Sequence, residues 1–153
     1  MKKKLRILVD RLLFAGYPPY LGAGIRIRKI NETYNDITVE MKRRIWNQNY
    51  VGTHFGGSLY SMGDPFFMLI LIKNLGRDYV VWDKKASIAF KKATKETVRA
   101  RFHIPLEEIE ALRREVDEKG KIEPTFTVDI ISDSGEVIAQ ITKLLYIRKK
   151  KAQ

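Results

Sequence analysis

Between Pro65 and Asn74 the chain reads PFFMLILIKN, and a helix drawn through it has almost no polar face. A surface helix keeps an apolar stripe on one side and polar residues on the other. This one is apolar nearly all round, so it must be covered on most sides. The uninterrupted apolar run 66–72 is far below the ~18 residues that cross a bilayer, so the cover has to be protein. Flanking segments supply it. GIRIRKI (24–30) and ITVEMKRRI (37–45) alternate apolar and polar residues across the turn ETYND, as a hairpin does. YVVWDKKASIAF (79–90) and KETVRARFHI (95–104), separated by KKAT, read as two more strands. IEPTFTVDIISDSGEVIAQITKLLYIRKK (122–150) reads as a final pair around the turn DSG. A strongly curved antiparallel sheet wrapped around one long central helix satisfies this order, giving an α+β class in a single domain over 1–153.

Local signals place the helices. Gly56-Gly57 looks like the start of the central helix, which then runs about twenty residues to Asn74–Gly76 with Gly76 as C-cap. MKKKLRILVDRLLF predicts a basic amphipathic N-terminal helix over 1–15, with Leu5, Leu8, Val9 and Leu12 on one face. Asp10 and Arg11 interrupt it, which makes it a poor signal peptide. PLEEIEALRREVDEKG (105–120) has acids first, bases later and a closing Gly120, as the helix dipole favours. Its face with Glu107, Glu110, Arg113 and Arg114 is polar, so it is an additional surface helix. Phe66, Phe67, Trp82 and Phe90 are expected in the core, or one or two of them along an acyl tunnel.

Composition narrows the chemistry. The chain has no cysteine, which excludes disulfides, thiolate metal sites and Cys nucleophiles. Only His54 and His103 are present, which argues against a His-rich metal site. A reducing cytoplasm fits this best. Of the net charge of +11, Lys2, Lys3, Lys4, Arg148, Lys149, Lys150 and Lys151 supply seven, leaving +4 on the body. Either these are solvated ends, with 148–153 a basic tail, or they bind an anion: nucleic acid, anionic lipid or the phosphates of a nucleotide-bearing substrate. No helix-turn-helix, zinc finger or RNP motif accompanies them, so specific nucleic-acid binding is not expected. A basic interaction protein that uses its termini on membrane or nucleic acid is one functional reading.

The other reading starts from NYVGTHFGGSLYSMGDPFF (49–67). Asp64 sits in an otherwise apolar run, and a stranded carboxylate is costly. Taken alone, Asp64 followed by Pro65 is also a helix N-cap signature, and Gly56-Gly57 could be turn glycines. His54 and His103 are by themselves ordinary hydrogen-bonded histidines, and Ser58 and Ser61 lack the GxSxG context of a serine nucleophile. The whole layout, however, resembles the hot-dog fold, and within it the acyl-CoA thioesterases of the phenylacetyl-CoA and 4-hydroxybenzoyl-CoA type. Their pattern is an amide residue, a Gly/Thr/His loop, a Gly-Gly helix start and a carboxylate eight positions after the first Gly. Asn49, GTHFGG (52–57) and Asp64 fall on it, and SIAFKKATKETVRARF (87–102) is similar to the strands that follow. The likeness spans about residues 24 to 147, and a hot-dog subfamily of unassigned function carries a stretch like GTHFGGSLYSMGDP.

The resemblance implies an obligate homodimer, or a tetramer built from it, with two sites across an interface. On one helix Gly56 and Asp64 would be ~12 Å apart, too far to act on one thioester, so each site takes one group from each subunit. The implied catalytic residues are the Gly56 amide as oxyanion donor, Asp64 as general base or nucleophile, and Asn49 orienting carboxylate or water. Gly57 and His54 would bind substrate. Lys91 and Lys92, with Lys95, either meet the phosphates of coenzyme A or form a solvated turn. No metal or redox cofactor is implied; coenzyme A, or an acyl carrier, would come with the substrate. Phe55 stands where the family's His precedes Gly-Gly, Met68 where some relatives have Ser or Thr, and Pro65 directly follows the carboxylate. The proline either aims Asp64 or belongs to a module that binds acyl groups without hydrolysing them.

Overall fold

In the computed structural model, which describes residues 2–150, the apolar run is a helix enclosed by a sheet. The elements are α1 (Lys2–Ala15), α2 (Pro18–Ala23), β1 (Ile25–Ile30), β2 (Asp36–Met41), a 3₁₀ turn (Ile45–Asn47), α3 (Gly56–Ser61), α4 (Phe66–Leu75), β3 (Tyr79–Phe90), β4 (Val98–His103), α5 (Leu106–Lys119), β5 (Lys121–Ile122), β6 (Thr125–Ser132) and β7 (Val137–Lys149). The seven strands form one antiparallel sheet in the order β1-β2-β4-β6-β7-β3, with β5 beside β7. Alternation along each strand sends Ile37, Val39, Phe102, Val128, Ile130 and Ile141 inwards. Against them α4 buries Phe66, Phe67, Ile70 and Leu71. Phe102 meets both Phe66 and Phe67 with ring centroids 5.0 Å apart, and Phe126 stacks on Phe67 at 5.0 Å. The expected α+β class and sheet-around-helix layout are therefore present.

The central helix departs from expectation: it is two helices, not one. α3 ends at Ser61 and α4 begins at Phe66. Pro65 has no N–H to give to a preceding turn, and the peptide before it is cis. Gly63 lies so close to the sheet that a Cβ there would meet Ile141 Cδ1 at 2.8 Å. The Tyr20 hydroxyl donates to the Asp64 carbonyl oxygen within this break. The N-cap of α4 is Pro65, with no side-chain cap bond. The Asp64 side chain is thus not a helix cap.

Two other expectations are corrected. Trp82 and Phe90 are not core residues; the two residues are 49% and 59% exposed. They stand on β3, an edge strand whose outer side has no neighbour among the described residues, and Trp82 stacks on Tyr146 at 4.9 Å. The leucine face of α1 points outwards. The helix instead sets Ile7, Asp10 and Phe14 against the domain: Asp10 accepts from Tyr34 (2.7 Å) and Lys73 (2.8 Å), and Phe14 stacks on Tyr20. Finally, Arg148 and Lys149 are not tail residues. β7 runs through Lys149, whose ammonium pairs with Asp117 at 2.8 Å. Lys151–Gln153, and the side chains of Lys2, Lys3 and Lys4, lie outside the described residues.

The surface helix α5 does structural work through its polar face. Arg113 donates to the carbonyls of Leu75 (2.9 Å) and Asn74 (2.7 Å), closing the C-terminus of α4, while Glu110 holds the guanidinium at 3.2 Å. The last carbonyls of a helix have no partner within it, and bonds to a charged donor contribute more than neutral ones. Arg113→Ala should therefore destabilise the protein by about 1–3 kcal/mol. Arg114→Ala, one position away and exposed, should stay within ~0.5 kcal/mol. Urea unfolding of the two variants checks this.

Candidate active site

The loop before α3 is built by two asparagines. Asn47 Oδ1 accepts from the Arg44 N–H (2.6 Å), and its Nδ2 donates to the carbonyls of Ala23 and Lys42. Asn49 Oδ1 accepts from the N–H groups of Val51 (3.1 Å) and Thr53 (3.0 Å), while Nδ2 donates to Thr53 Oγ1 (2.8 Å) and the His54 carbonyl (3.3 Å). This is an Asx-type loop. Both atoms of the Asn49 carboxamide are engaged in it, so Asn49 shapes the loop.

His54 is buried beneath the loop. Its Nε2–H donates to the Glu96 carbonyl at 2.7 Å, which leaves Nδ1 a bare acceptor without a partner. Burial pushes the imidazole pKa below its ordinary value; the Glu96 bond opposes this and nearby Arg43 adds to it. The ring is therefore neutral at pH 7 and serves the loop.

α3 then starts with two glycines whose backbone N–H groups have no acceptor among the described residues. A Cβ at Gly56 would stand 3.1 Å from Phe90 Cζ, and one at Gly57 2.5 Å from Phe55 Cε1. Absence of side chains here lets other atoms approach the backbone closely. Gly56, Asn49, Thr53, His54, Phe90, Lys91 and Lys92 line a common open cleft of about 340 Å³. The N–H groups of Lys91 and Lys92 both donate to the Ile138 carbonyl (2.8 and 3.1 Å), which holds the turn in place. The Lys92 ammonium is engaged by Glu136, whereas Lys91 has no carboxylate partner among the described residues.

Asp64 lies elsewhere. It follows the opposite end of α3, is 63% exposed, and lines a second cleft of about 250 Å³ with Tyr60, Asp83, Lys84, Lys85, Ile141 and Lys143. Lys143 is the notable group, since only 6% of its side chain is exposed. Its ammonium stands 2.6 Å from Asp83 Oδ2 and 3.7 Å from Asp64 Oδ1. The other Asp83 oxygen is buried and unpartnered. Burial pushes the Asp83 pKa above the usual carboxylate range; the Lys143 ammonium pulls it down, and the Asp64 charge adds to the rise. The β3–β7 register shifts between Asp83 and Lys85, a bulge beside the cleft.

Sequence reasoning missed Asp83 and Lys143. A signal existed: in ITKLLYI, Lys143 keeps the period-two register of Ile141, Leu145 and Ile147, so the alternation sends a lysine inwards. Of the residues the sequence singled out, the structure gathers Asn49, His54, Gly56, Lys91 and Lys92 around one cleft and leaves Asp64 in another. Gly57 is exposed beside the first cleft. No three His, Asp or Glu side chains converge on a metal-sized site among the described residues.

Comparison with known proteins adds a frame. The family model described as "Domain of unknown function (DUF4442)" matches residues 6–147. No curated protein matches the chain. Among solved structures, a protein of unknown function from Pseudomonas aeruginosa, termed "Probable Thioesterase", is 19% identical with a TM-score of 0.84, covering 94% of this chain and 95% of that one. A thioesterase from Haemophilus influenzae is 12% identical with a TM-score of 0.65, over 95% and 91% of the two chains. A mutant of the phenylacetic acid degradation protein PaaI from Thermus thermophilus is 18% identical with a TM-score of 0.56, over 84% and 97%. The fold they share with this chain is the hot-dog fold.

The buried pair makes a testable demand. In Lys143→Met, Asp83 loses its cation while keeping its burial and the neighbouring Asp64 charge. The expected loss at neutral pH is about 2 kcal/mol, below the ~3–5 kcal/mol of a fully buried pair because about a quarter of the Asp83 side chain still meets water. Because the folded-state pKa of Asp83 is raised, the folded protein takes up this proton before the unfolded chain does. The loss should therefore shrink as pH falls through that pKa towards the ordinary Asp value. Adding Asp83→Asn should recover much of it at pH 7. Thermal melting of the three proteins across pH 4–8 reads the pattern.

Proposed function

The chain belongs to the DUF4442 family and has the hot-dog fold, and from that premise we propose that it hydrolyses an acyl thioester at sites shared between two copies. One observation carries the reading. The free Gly56 N–H and the Asp64 carboxylate line separate clefts, and both clefts border the same edge strand, β3, one at 84–86 and the other at Phe90. An unpaired edge with exposed aromatics invites a partner strand. If β3 pairs antiparallel with its own copy about a two-fold axis near Ser87, Lys84 of one subunit falls opposite the partner's Phe90. The Asp64 cleft of each subunit then faces the Gly56 cleft of the other.

The chemistry follows from these groups. The thioester carbonyl oxygen lies at the Gly56 N–H, which stabilises the negative charge that grows there on attack. Asp64, exposed to solvent and beside the Lys143 ammonium, takes a proton from water as the water oxygen bonds to the carbonyl carbon. The tetrahedral intermediate collapses with cleavage of the C–S bond. The proton returns from Asp64 to the departing sulfur, so the products are a carboxylic acid and a thiol. Lys91, the unengaged cation at the cleft, is placed to meet phosphates if the thiol is coenzyme A. A binding module without turnover is the rival reading, favoured by the full engagement of the Asn49 carboxamide within its loop.

Asp64→Asn should keep the fold and substrate binding while lowering acyl-CoA hydrolysis by ~10²–10⁴-fold, the range of a general base. Gly56→Val should also be inactive, because its side chain fills the space under Phe90. Refolding the two inactive proteins together should restore measurable turnover, since a mixed dimer contains one intact site. An Asp64→Asn protein with wild-type turnover ends the hydrolytic reading; inactive mixtures, or a strictly monomeric protein by light scattering, end the shared site.

A further inference from the structure

We infer that the face formed by α1 and the edge strand β1 docks onto an anionic lipid bilayer. The orientation of α1 is the starting observation. Its inner side is occupied by Ile7, Asp10 and Phe14, so Leu5, Leu8, Val9, Leu12 and Leu13 form a continuous stripe in water, with Leu12 62% exposed. A helix that turns its leucines outwards while anchoring itself through an ion pair has an apolar face the fold does not use. The stripe continues across an open groove of about 560 Å³ between α1 and β1 to the exposed indole of Trp46.

Cations ring the apolar surface. Arg11, Arg26, Arg28, Lys42 and Arg44 line the same groove. Among the described residues only Arg28 of these approaches a carboxylate, Glu40 at 3.7 Å, and Glu40 is itself held by Arg99 at 2.9 Å. Leucines and an indole flanked by Arg and Lys are the composition of a helix that lies in the headgroup boundary, apolar face down. Among the described residues no helix is long and apolar enough to cross the bilayer, so the contact is with the surface. A second copy of this chain fits poorly, because a two-fold contact would press these cations against their own images. Nucleic acid would neutralise the cations but leave the leucines in water. The face lies at β1, the opposite edge of the sheet from β3, and the inference is independent of the thioesterase reading.

Flotation of the full chain with vesicles tests it. The protein should bind phosphatidylcholine vesicles containing phosphatidylserine, bind pure phosphatidylcholine far less, and release as salt rises. Leu8→Gln with Leu12→Gln keeps the charge and helix propensity but should lower affinity at least about tenfold. Arg26→Ala and Lys42→Ala should each lower it about fivefold. These side chains are exposed, so melting should be unchanged, and the charge variants remain informative if the leucine variant is unstable. Absence of binding to phosphatidylserine vesicles at low salt overturns the inference. So does wild-type binding by the leucine variant, which would mean adsorption by charge alone, as any polyanion would give. A smaller molar mass for the leucine variant would instead mark the face as a contact between copies, and would overturn it too.

Discussion

Helix α4 has to bury Phe66, Phe67, Ile70, Leu71 and Leu75 at once, and the rest of the structure is arranged around that demand. Each such side chain taken out of water contributes ~1.5–3 kcal/mol, more than any surface interaction offers. A flat sheet covers only one side of a helix, so the strands must curve around it. The ends of α4 are then deep inside the domain, where unpaired backbone groups are expensive. Arg113 solves this at the C-terminus by reaching in from α5. At the N-terminus Gly63 and Pro65 break the chain against Ile141, and Asp64 is turned out of the core by that break.

The Lys143–Asp83 pair runs against this economy. Two ionised groups on inward-facing strand positions carry a desolvation cost that their attraction only partly offsets, and apolar residues of similar size are often at least as stabilising. One Asp83 oxygen has no hydrogen-bond partner among the described residues. A pair that weakens the core, beside a cleft and a solvent-facing carboxylate, is the pattern expected where electrostatics are arranged for chemistry. Asp64 therefore belongs to a three-residue charged cluster with Asp83 and Lys143.

The two edges of the sheet present different surfaces. β3 exposes Trp82 and Phe90 beside backbone with no neighbour among the described residues, with a cleft at each end. β1 lies beneath α1, with leucines and unpaired cations facing out. The first surface suits a strand of the same chain, because backbone hydrogen bonding is self-complementary. The second suits an extended anionic and apolar phase, because its positive charge repels its own copy. A single chain can use both at once.

Strand alternation, turn residues and the run PFFMLILIKN determined the class and the positions of the six longer strands, α1 and α5, because those signals are carried by neighbours along the chain. The Asn49–Gly56–Asp64 spacing likewise carried the likeness to the hot-dog thioesterases, and the cleft residues Asn49, His54, Gly56, Lys91 and Lys92 do gather together. What the sequence could not decide was which of two apolar faces turns inwards. Leu8 and Leu12 lost to Ile7 and Phe14 because Asp10 finds Lys73, 63 positions away, and Trp82 alternates with Val81 and Asp83 onto the outer face of the sheet, where it stacks on Tyr146. The same holds at the site: Lys143 meets Asp83 and Asp64 only after β7 pairs with β3. Partners distant in sequence set these outcomes, and local pattern contains no information about which strand will lie beside which.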